Sequence, residues 1–250
     1  MEKLNSDRVV ISMDETSSTN TELKRLHQEK SLPEGSIVMT DYQTSGRGQV
    51  GNSWFSGKGN NLLFSFLLYP HFVVAKDQFI ISRIVSLALK MMLNNFMEGI
   101  TIKWPNDIYW NDKKIAGILI ENSLAGKQID FTIIGVGLNV NENHFPSALP
   151  NPISMKQVTG NEYDREELLD IFNNEFFHLY RELQHGNKSI IESEYMQHLY
   201  RKEGNHSFED KDGPFKGRIK DVMSTGHLII EALPHGEERV YAFKEVSFVV

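Results

Sequence analysis

Apolar and polar positions recur with helical spacing in three long segments of the chain. Over residues 77–96, apolar side chains return every three or four positions, which predicts an amphipathic helix of several turns. The same spacing predicts helices over 164–183 and 189–201. Nearer the N-terminus, Thr19 followed three residues later by Glu22 fits a capping box at the start of a shorter helix. We expect these helices to cover a sheet.

Strand patterns occupy most of the sequence between these helices. Residues 61–69 (NLLFSFLLY) form a nearly unbroken apolar run, which is typical of a strand buried on both faces, and Pro70 ends it. Further strands are predicted over 36–40, 101–104, 108–110, 114–122 and 129–138. Together they predict a mixed sheet.

After about Gly204 the pattern changes to short strands separated by turn-forming residues. Strands are predicted over 216–222, 227–231 and 239–243. These strands indicate a small β-barrel. We therefore predict an α/β fold of the α+β type, with a mixed-sheet domain flanked by helices over 1–203 and a small β-barrel domain over 204–250.

Composition and charge narrow the classes of function. The 26 Lys and Arg against 33 Asp and Glu give a net charge of -7, which weighs against sequence-independent binding to nucleic acid or anionic lipid. The absence of cysteine excludes disulfides, thiolate zinc sites and a cysteine nucleophile. Residues 1–15 lack the apolar centre of a signal peptide, and no segment approaches the roughly 18 apolar residues of a membrane span. We expect a cytoplasmic protein.

A glycine-rich segment, GRGQVG at 46–51, carries the first candidate chemistry. It matches a dinucleotide-binding pattern, but a strand follows it instead of a helix, and residues 52–76 hold no Asp or Glu for a ribose hydroxyl. A Walker phosphate loop is excluded because Gly59 follows Lys58 where Ser or Thr would bind magnesium. The segment keeps one permanent cation, Arg47, and one large aromatic, Trp54, which could close over an anionic ligand. A solvated surface loop would explain the glycines equally well.

The segment KWPND at 103–107 places a cation, an amide and a carboxylate at the end of a predicted strand. Pro105 stops the strand, so Asn106 and Asp107 project from a constrained turn. Turn propensity alone would also favour Asn and Asp there. Lys103 is harder to explain in that way, because a buried sheet seldom keeps an ammonium group unless the group reaches a cavity or an anion.

Two further strand ends are weaker candidates. Lys114 stands at the mouth of an apolar strand in which Gly117 indicates close approach by another group. Residues 135–141 (GVGLNVN) place Asn139 and Asn141 after another apolar strand, where they could bind an amide or a base edge, or simply form a turn. The nine His show no metal-ligand spacing and no G-x-S-x-G elbow occurs, so neither a zinc site nor a hydrolase triad is predicted.

Taken in order, these segments resemble those of bacterial biotin protein ligases. The shared blocks are Ser18-Thr19-Asn20, residues 42–48 (YQTSGRG), Trp54, residues 103–107 (KWPND), residues 114–119 (KIAGIL) and residues 135–139 (GVGLN). The GRG and KWPND blocks are specific to that family, and the resemblance covers essentially the whole chain. It implies a catalytic domain resembling class II aminoacyl-tRNA synthetases and an SH3-like C-terminal barrel. It also implies the short form without an N-terminal DNA-binding domain, because the first motif begins at Ser18.

The resemblance implies a two-step reaction with ATP, biotin and Mg²⁺. Biotin and ATP would give biotinyl-5′-adenylate and pyrophosphate, and a lysine of a biotin carboxyl carrier domain would then accept the biotinyl group. The carrier domain, of a biotin-dependent carboxylase, is the implied partner, while DNA and membrane binding are not expected. Pairing of strand edges between two copies would give a homodimer, a question that the sequence leaves open.

The resemblance also implies a role for each matching residue. Biotin would be surrounded by Ser18, Thr19, Gln43, Gly46, Arg47, Lys114 and Gly117. ATP or the adenylate would be held by Arg47, Trp54, Lys103, Asn106 and Asn139. The catalytic residues would be Arg47, Lys103, Asp107 and Lys114. Asp107 would orient or deprotonate the incoming lysine, or contact magnesium carried by the ATP phosphates.

One departure and two alternatives accompany this prediction. Some family members carry a second Arg where this chain has Gln49, so adenylate retention would rest more on Arg47 and Lys103. A lipoate-type ligase would share the activation chemistry and the fold. A non-catalytic biotin-binding or regulatory module is the alternative from another class, and the presence of Arg47, Lys103, Asp107 and Lys114 argues against it.

Overall fold

The computed structural model describes residues 8–49 and 51–249, which form two β-sheets and five α-helices within that part of the chain. Three parts of the chain lie outside the described residues: residues 1–7, Val50 of the glycine-rich segment, and Val250. The strands of the larger sheet are β1 (Val10–Met13), β2 (Ile37–Thr40), β3 (Leu62–Leu68), β4 (Ile100–Lys103), β5 (Asp107–Trp110), β6 (Lys113–Ala125) and β7 (Gln128–Leu138). Their order is β1-β2-β3-β7-β6-β5-β4, and only β1 and β2 run parallel. The predicted mixed sheet is confirmed.

The helices pack against this sheet and against each other. They are α1 (Thr19–Lys30), α2 (Phe79–Asn94), α3 (Met155–Thr159), α4 (Arg165–Gln184) and α5 (Lys188–Gln197). The three long predicted helices are confirmed, but α5 ends four residues before the predicted end at 201. The chain leaves the helix because Ile102, in the edge strand β4, donates its N–H to His198 O and accepts from Tyr200 N–H.

The predicted capping box of the first helix is wrong. Ser18 is the N-cap, and its side chain caps no backbone N–H of α1 among the described residues. Thr19 is the first helical residue, and its N–H donates to the side-chain oxygen of Gln43 at 2.8 Å. Glu22 forms an ion pair with Arg25 instead of reaching back. A partner 24 positions away thus replaces the local cap.

The core lies between the central strand β3 and the helices α2 and α4. All seven residues of β3 are buried, as the apolar run predicts. Phe66 packs edge to face on Phe176 with ring centroids 4.7 Å apart, and Phe64 packs on Phe172 at 5.2 Å. This packing fixes the strands whose ends form the cavity described below.

The C-terminal part of the chain forms a second, antiparallel sheet. Its strands are β8 (His206–Asp210), β9 (Gly213–Val222), β10 (Leu228–Ala232), β11 (Glu237–Tyr241) and β12 (Val246–Phe248). The order is β11-β10-β9-β8-β12, and within the described residues the ladder does not close between β11 and β12. A small all-β unit is therefore confirmed, while the domain boundary between 203 and 204 stays a prediction.

In the described part of the chain, the longest helix spans 20 residues and no helix combines the length and apolar character needed to cross a membrane.

Candidate functional site

A cavity of about 490 Å³ opens where the ends of the large sheet meet the glycine-rich loop and the C-terminal sheet. Ten residues predicted from the sequence line it: Ser18, Thr19, Gln43, Arg47, Trp54, Lys103, Asn106, Asp107, Lys114 and Gly117. They come from segments far apart in the chain. The fold therefore brings nearly all of the predicted site residues to one place.

Gly46 and Asn139 are the two predicted site residues that do not line the cavity. Gly46 O accepts a hydrogen bond from Trp54 N–H at 2.9 Å, and a Cβ at Gly46 would collide with the Trp54 carbonyl. Asn139 is 3% exposed, and its amide donates to Ile153 O at 3.0 Å. Gly46 thus shapes the loop, and this geometry gives no support to the nucleotide contact predicted for Asn139.

A buried hydrogen-bond network supports one end of the cavity. The Ser65 hydroxyl lies 2.6 Å from both Thr19 Oγ1 and Asn20 Oδ1. Because this hydroxyl has one hydrogen and an amide oxygen can only accept, Ser65 donates to Asn20 and accepts from Thr19. Gln43 Oε1 accepts the Thr19 N–H and lies 3.2 Å from its hydroxyl. The network fixes the hydroxyl and amide groups that face the cavity.

The network continues to a charged pair at the cavity mouth. Asn20 Nδ2 donates to Glu121 Oε2 at 2.7 Å, and Arg47 Nη2 donates to the same oxygen at 2.6 Å. The Arg47 and Glu121 side chains are 44% and 36% exposed, so solvent screens this ion pair and a ligand anion can displace it at small cost. Sequence reasoning missed Ser65 and Glu121, although a polar residue in the middle of the apolar run NLLFSFLLY was a signal for Ser65.

Two glycines on neighbouring strands form the floor of the cavity. Gly117 of β6 pairs with Gly137 of β7, and the Trp54 indole lies directly on both. A Cβ at Gly117 would fall 2.9 Å from Trp54 Cζ3, and a Cβ at Gly137 would fall 2.7 Å from Nε1. The indole N–H is buried and has no partner among the described residues, which is costly for a donor. The floor thus has room for a flat group, which a side chain at position 117 or 137 would exclude.

Lys103 supplies a cation at the opposite end. Its ammonium donates to the Tyr109 hydroxyl at 2.9 Å and lies 4.7 Å from the centre of that ring. The Phe248 ring centre is 5.4 Å away. Lys103 forms no ion pair with a carboxylate of the described residues, so its charge is available to an anionic ligand in the cavity.

A second tyrosine, Tyr200, packs against Tyr109 and so supports Lys103 indirectly. The Tyr200 ring packs on Tyr109 at 5.2 Å, and its hydroxyl donates to Asp112 Oδ1 at 2.5 Å. Burial, followed by this hydrogen bond, raises the pKa of Tyr200 to about 12. Tyr200 therefore stays protonated at neutral pH and keeps Tyr109 in place beneath the ammonium.

The KWPND turn places its other polar groups beside Lys103. Asn106 Nδ2 donates to Ile118 O at 2.6 Å, which anchors the turn to β6. Asp107 Oδ1 lies 2.7 Å from Lys114 Nζ, in an ion pair that lies outside hydrogen-bond angles. Lys114 Nζ is also 5.5 Å from the Trp54 ring centre. A carboxylate, two ammonium groups and an indole therefore share one wall.

The C-terminal sheet closes the cavity over Lys103. Five of its residues line the cavity: Phe243, Lys244, Val246, Ser247 and Phe248. Sequence reasoning assigned no site residue to this part of the chain, because no motif marks it. Only the packing of the two sheets reveals that contribution.

The described residues contain no cluster of three or more His, Asp or Glu that could hold a metal ion. Asp107 is a single carboxylate on the cavity wall. Magnesium bound to nucleotide phosphates needs only one or two protein carboxylates, so Asp107 fits that use. The site as a whole can take an elongated ligand, with hydrogen-bonding groups at one end, a flat apolar contact in the middle and an anion at the other end.

Comparisons with known proteins point to one family. The model of the biotin/lipoate A/B protein ligase family matches residues 12–139. The chain is 30% identical over 217 residues to the bifunctional ligase/repressor BirA of Bacillus subtilis, covering 84% of this chain and 65% of that relative. It is 32% identical over 164 residues to the biotin--[acetyl-CoA-carboxylase] ligase of Paracoccus denitrificans, covering 62% of this chain and 66% of that relative.

A solved structure with the same fold covers nearly the whole chain. The biotin protein ligase from Aquifex aeolicus, in complex with biotin and ATP, superposes with a TM-score of 0.79 at 25% identity. The superposition covers 96% of this chain and 97% of that protein. The likeness therefore includes both sheets.

Proposed function

Because the chain belongs to the biotin/lipoate A/B protein ligase family, we propose that it is an ATP-dependent biotin protein ligase. It activates biotin as biotinyl-5′-AMP and transfers the biotinyl group to a lysine of a biotin carboxyl carrier domain. The observation that carries the proposal is the Lys103 ammonium, without a carboxylate partner among the described residues, in the same cavity as the Thr19 and Gln43 groups. The complex of the Aquifex relative with biotin and ATP supports the choice of substrates.

Biotin would lie along the cavity with its urea ring at the end formed by Ser18, Thr19 and Gln43. A cyclic urea offers both donors and an acceptor, which match the hydroxyl and amide groups held there by the buried network. The aliphatic tail would cross the floor at Gly117, in the place that the Trp54 indole occupies in this structure. Trp54 would leave that floor and cover the tail.

The chain's own residues would then promote the first step. The biotin carboxylate attacks the α-phosphorus of ATP, the bond to the β-phosphate oxygen breaks, and pyrophosphate leaves. Lys103 and Arg47 would neutralise the charge that develops on the phosphate oxygens. Arg47 would exchange Glu121 for the ligand as it does so. Magnesium on the ATP phosphates would neutralise further charge, and the Asp107 carboxylate, which lines the cavity, would hold it.

In the second step the carrier lysine attacks the acyl carbon of the adenylate, and AMP leaves with the acyl–oxygen bond electrons. The amine must lose a proton, and Asp107 is the proposed group to orient it or accept that proton. Lys114, 2.7 Å from Asp107, would hold that carboxylate in place beside the reacting carbon. The printed name of the Paracoccus relative supports a carboxylase carrier domain as the acceptor.

Exchange of labelled pyrophosphate into ATP tests the proposed function. Exchange that depends on biotin, followed by a biotinyl mass increase on an isolated carrier domain, would support it. Exchange with lipoate or octanoate but not with biotin would assign the alternative substrate class. Biotin binding in a calorimeter without any exchange would instead indicate a non-catalytic binding module.

Replacing Ser65 with Ala tests the buried network. The change leaves Asn20 Oδ1 without its hydroxyl donor, which costs roughly 1–3 kcal/mol for a buried group, so we expect the Kd for biotin to rise about tenfold. Isothermal titration calorimetry measures it. Ser86→Ala is the matched control, because the Ser86 hydroxyl is equally buried but has no hydrogen-bond partner among the described residues. Equal biotin affinity in both variants would contradict a role for the network.

A further inference from the structure

The C-terminal sheet contributes one wall of the cavity, and contacts with the preceding part of the chain hold it there. The wall residues belong to the β11–β12 connection and to β12, and Phe248 lies 5.4 Å from the Lys103 ammonium. The sheet is anchored to the first domain elsewhere, at the turn that joins β9 and β10, residues 223–227. The contacts of this turn therefore act together with those at β12, where Tyr200 packs on Phe248 with ring centres 6.1 Å apart and Arg201 donates to Val249 O at 2.6 Å.

Arg83, on α2, is the main anchor of that turn. Its Nη2 donates to Val222 O and, at 3.3 Å, to Met223 O, while its Nη1 pairs with Glu192 at 2.5 Å. The Arg83 side chain is only 3% exposed. Burial of a guanidinium is costly unless its hydrogen bonds are made, so the carbonyl groups of the turn are strongly held.

Aromatic rings fix the orientation of the guanidinium. The Phe79 and Tyr195 ring centres each lie 5.6 Å from Arg83 Cζ. Phe79 also packs against Gly226, where a Cβ would fall 2.7 Å from the Phe79 ring. The Arg83 guanidinium is therefore held in position on α2, where it binds the turn between β9 and β10.

Trp104, within the KWPND segment, is the second anchor. It is 5% exposed, and its Nε1 donates to Gly226 O at 2.8 Å. Its ring packs edge to face on Phe243, one of the wall residues, at 6.4 Å. Ser82, next to Arg83 on α2, donates to Pro105 O at 3.2 Å. Consecutive residues of α2 thus hold both the KWPND turn and the C-terminal sheet.

We propose that Arg83 and Trp104 are positioning residues that seat the C-terminal sheet over the phosphate end of the cavity and thereby support ATP binding. Arg83 does not line the cavity and Trp104 does, but the proposed role of both is to hold the C-terminal sheet. The proposal rests on the proposed ligase function for the identity of the ligand. The seating itself is a property of the fold that can be measured without substrate.

Steady-state kinetics of Arg83→Met tests the effect on ATP. We expect the KM for ATP to rise about tenfold, because the variant loses a buried hydrogen bond from a charged donor. The Kd for biotin should change less than about twofold. Trp104→Phe keeps the ring and removes only the N–H, so a rise of about threefold is expected. Arg83→Lys should restore part of the effect, because an ammonium can reach a carbonyl but cannot also pair with Glu192 in the same geometry.

Amide hydrogen exchange gives a readout that does not depend on activity. We expect faster exchange over residues 243–248 in Arg83→Met and Trp104→Phe, with unchanged exchange in β3. That result would show that the C-terminal sheet no longer packs stably over the cavity. Phe176→Leu is the control, because the Phe176 ring packs on Phe66, Phe172 and Tyr180 between β3 and α4, so its loss should leave exchange over 243–248 unchanged.

Two results would overturn the proposal. One is an increase by the same factor in the KM for ATP and in the Kd for biotin, which indicates a general loss of stability. The other is wild-type protection of residues 243–248 in both variants. If Arg83→Met does not fold, Trp104→Phe decides alone. If the wild-type protein catalyses no exchange of pyrophosphate, the ligase function fails while amide exchange still decides the seating.

Discussion

Lys103→Ala is expected to lower the rate of biotin-dependent pyrophosphate exchange by about 10²–10³-fold, the usual cost of losing one preorganised group that stabilises transition-state charge. The ammonium is held by Tyr109 and faces the cavity without a carboxylate partner among the described residues, so its charge acts on the ligand. Exchange of radiolabelled pyrophosphate into ATP, with and without biotin, measures the rate.

A neighbouring lysine provides the control for this variant. Lys113, the first residue of β6, is exposed and does not line the cavity. Lys113→Ala should therefore keep the wild-type rate. A Lys103→Ala protein with more than a tenth of the wild-type rate would contradict the proposed phosphate contact. Biotin binding by calorimetry should change little, since Lys103 lies at the opposite end of the cavity from Thr19.

Phe176→Ala is expected to lower the free energy of unfolding by about 3–5 kcal/mol, the range found when a buried phenylalanine is truncated. The Phe176 side chain is fully buried and its ring packs on Phe66, Phe172 and Tyr180. Its removal leaves a cavity between β3 and α4, where the helix joins the sheet. Urea denaturation followed by circular dichroism measures the change.

An exposed residue gives the comparison for this core substitution. Ile190 is 59% exposed on α5, so Ile190→Ala should alter the free energy of unfolding by no more than about 0.5 kcal/mol. A loss below about 1 kcal/mol in Phe176→Ala would mean that the packing between β3 and α4 contributes less than this structure indicates.

The fold could be predicted where one local pattern determines one environment. The run at 61–69 is nearly all apolar and contains the central buried strand β3. The strands β1, β8 and β12 were missed, although strands of similar length, such as β2 and β4, were predicted. The capping box predicted at Thr19 failed, whereas the box formed by Ser154 and Gln157 was not predicted. Tertiary partners decide which of such local signals is used.

The candidate site divides in the same way. Residues within short motifs, such as Lys103 and Asp107, reach the cavity as the sequence predicts. Glu121 and Arg83 were missed because each acts through partners at least 74 positions away, Arg47 for the former and Glu192 with Val222 for the latter. Arg83 moreover sits inside a largely apolar helix, where periodicity marks the buried face but not the charge that binds the C-terminal sheet. Such residues become visible only when distant segments are brought together.

The indole of Trp54 on the Gly117 and Gly137 floor gives the free protein a closed ground state. Ligand entry is then coupled to a prior opening of the loop, and the measured affinity equals the intrinsic affinity multiplied by the fraction of open molecules. With one molecule in about 100 open, the measured Kd would be about 100-fold weaker than the intrinsic one. In return the loop is already partly ordered before binding, so less conformational entropy is lost when it closes over a ligand.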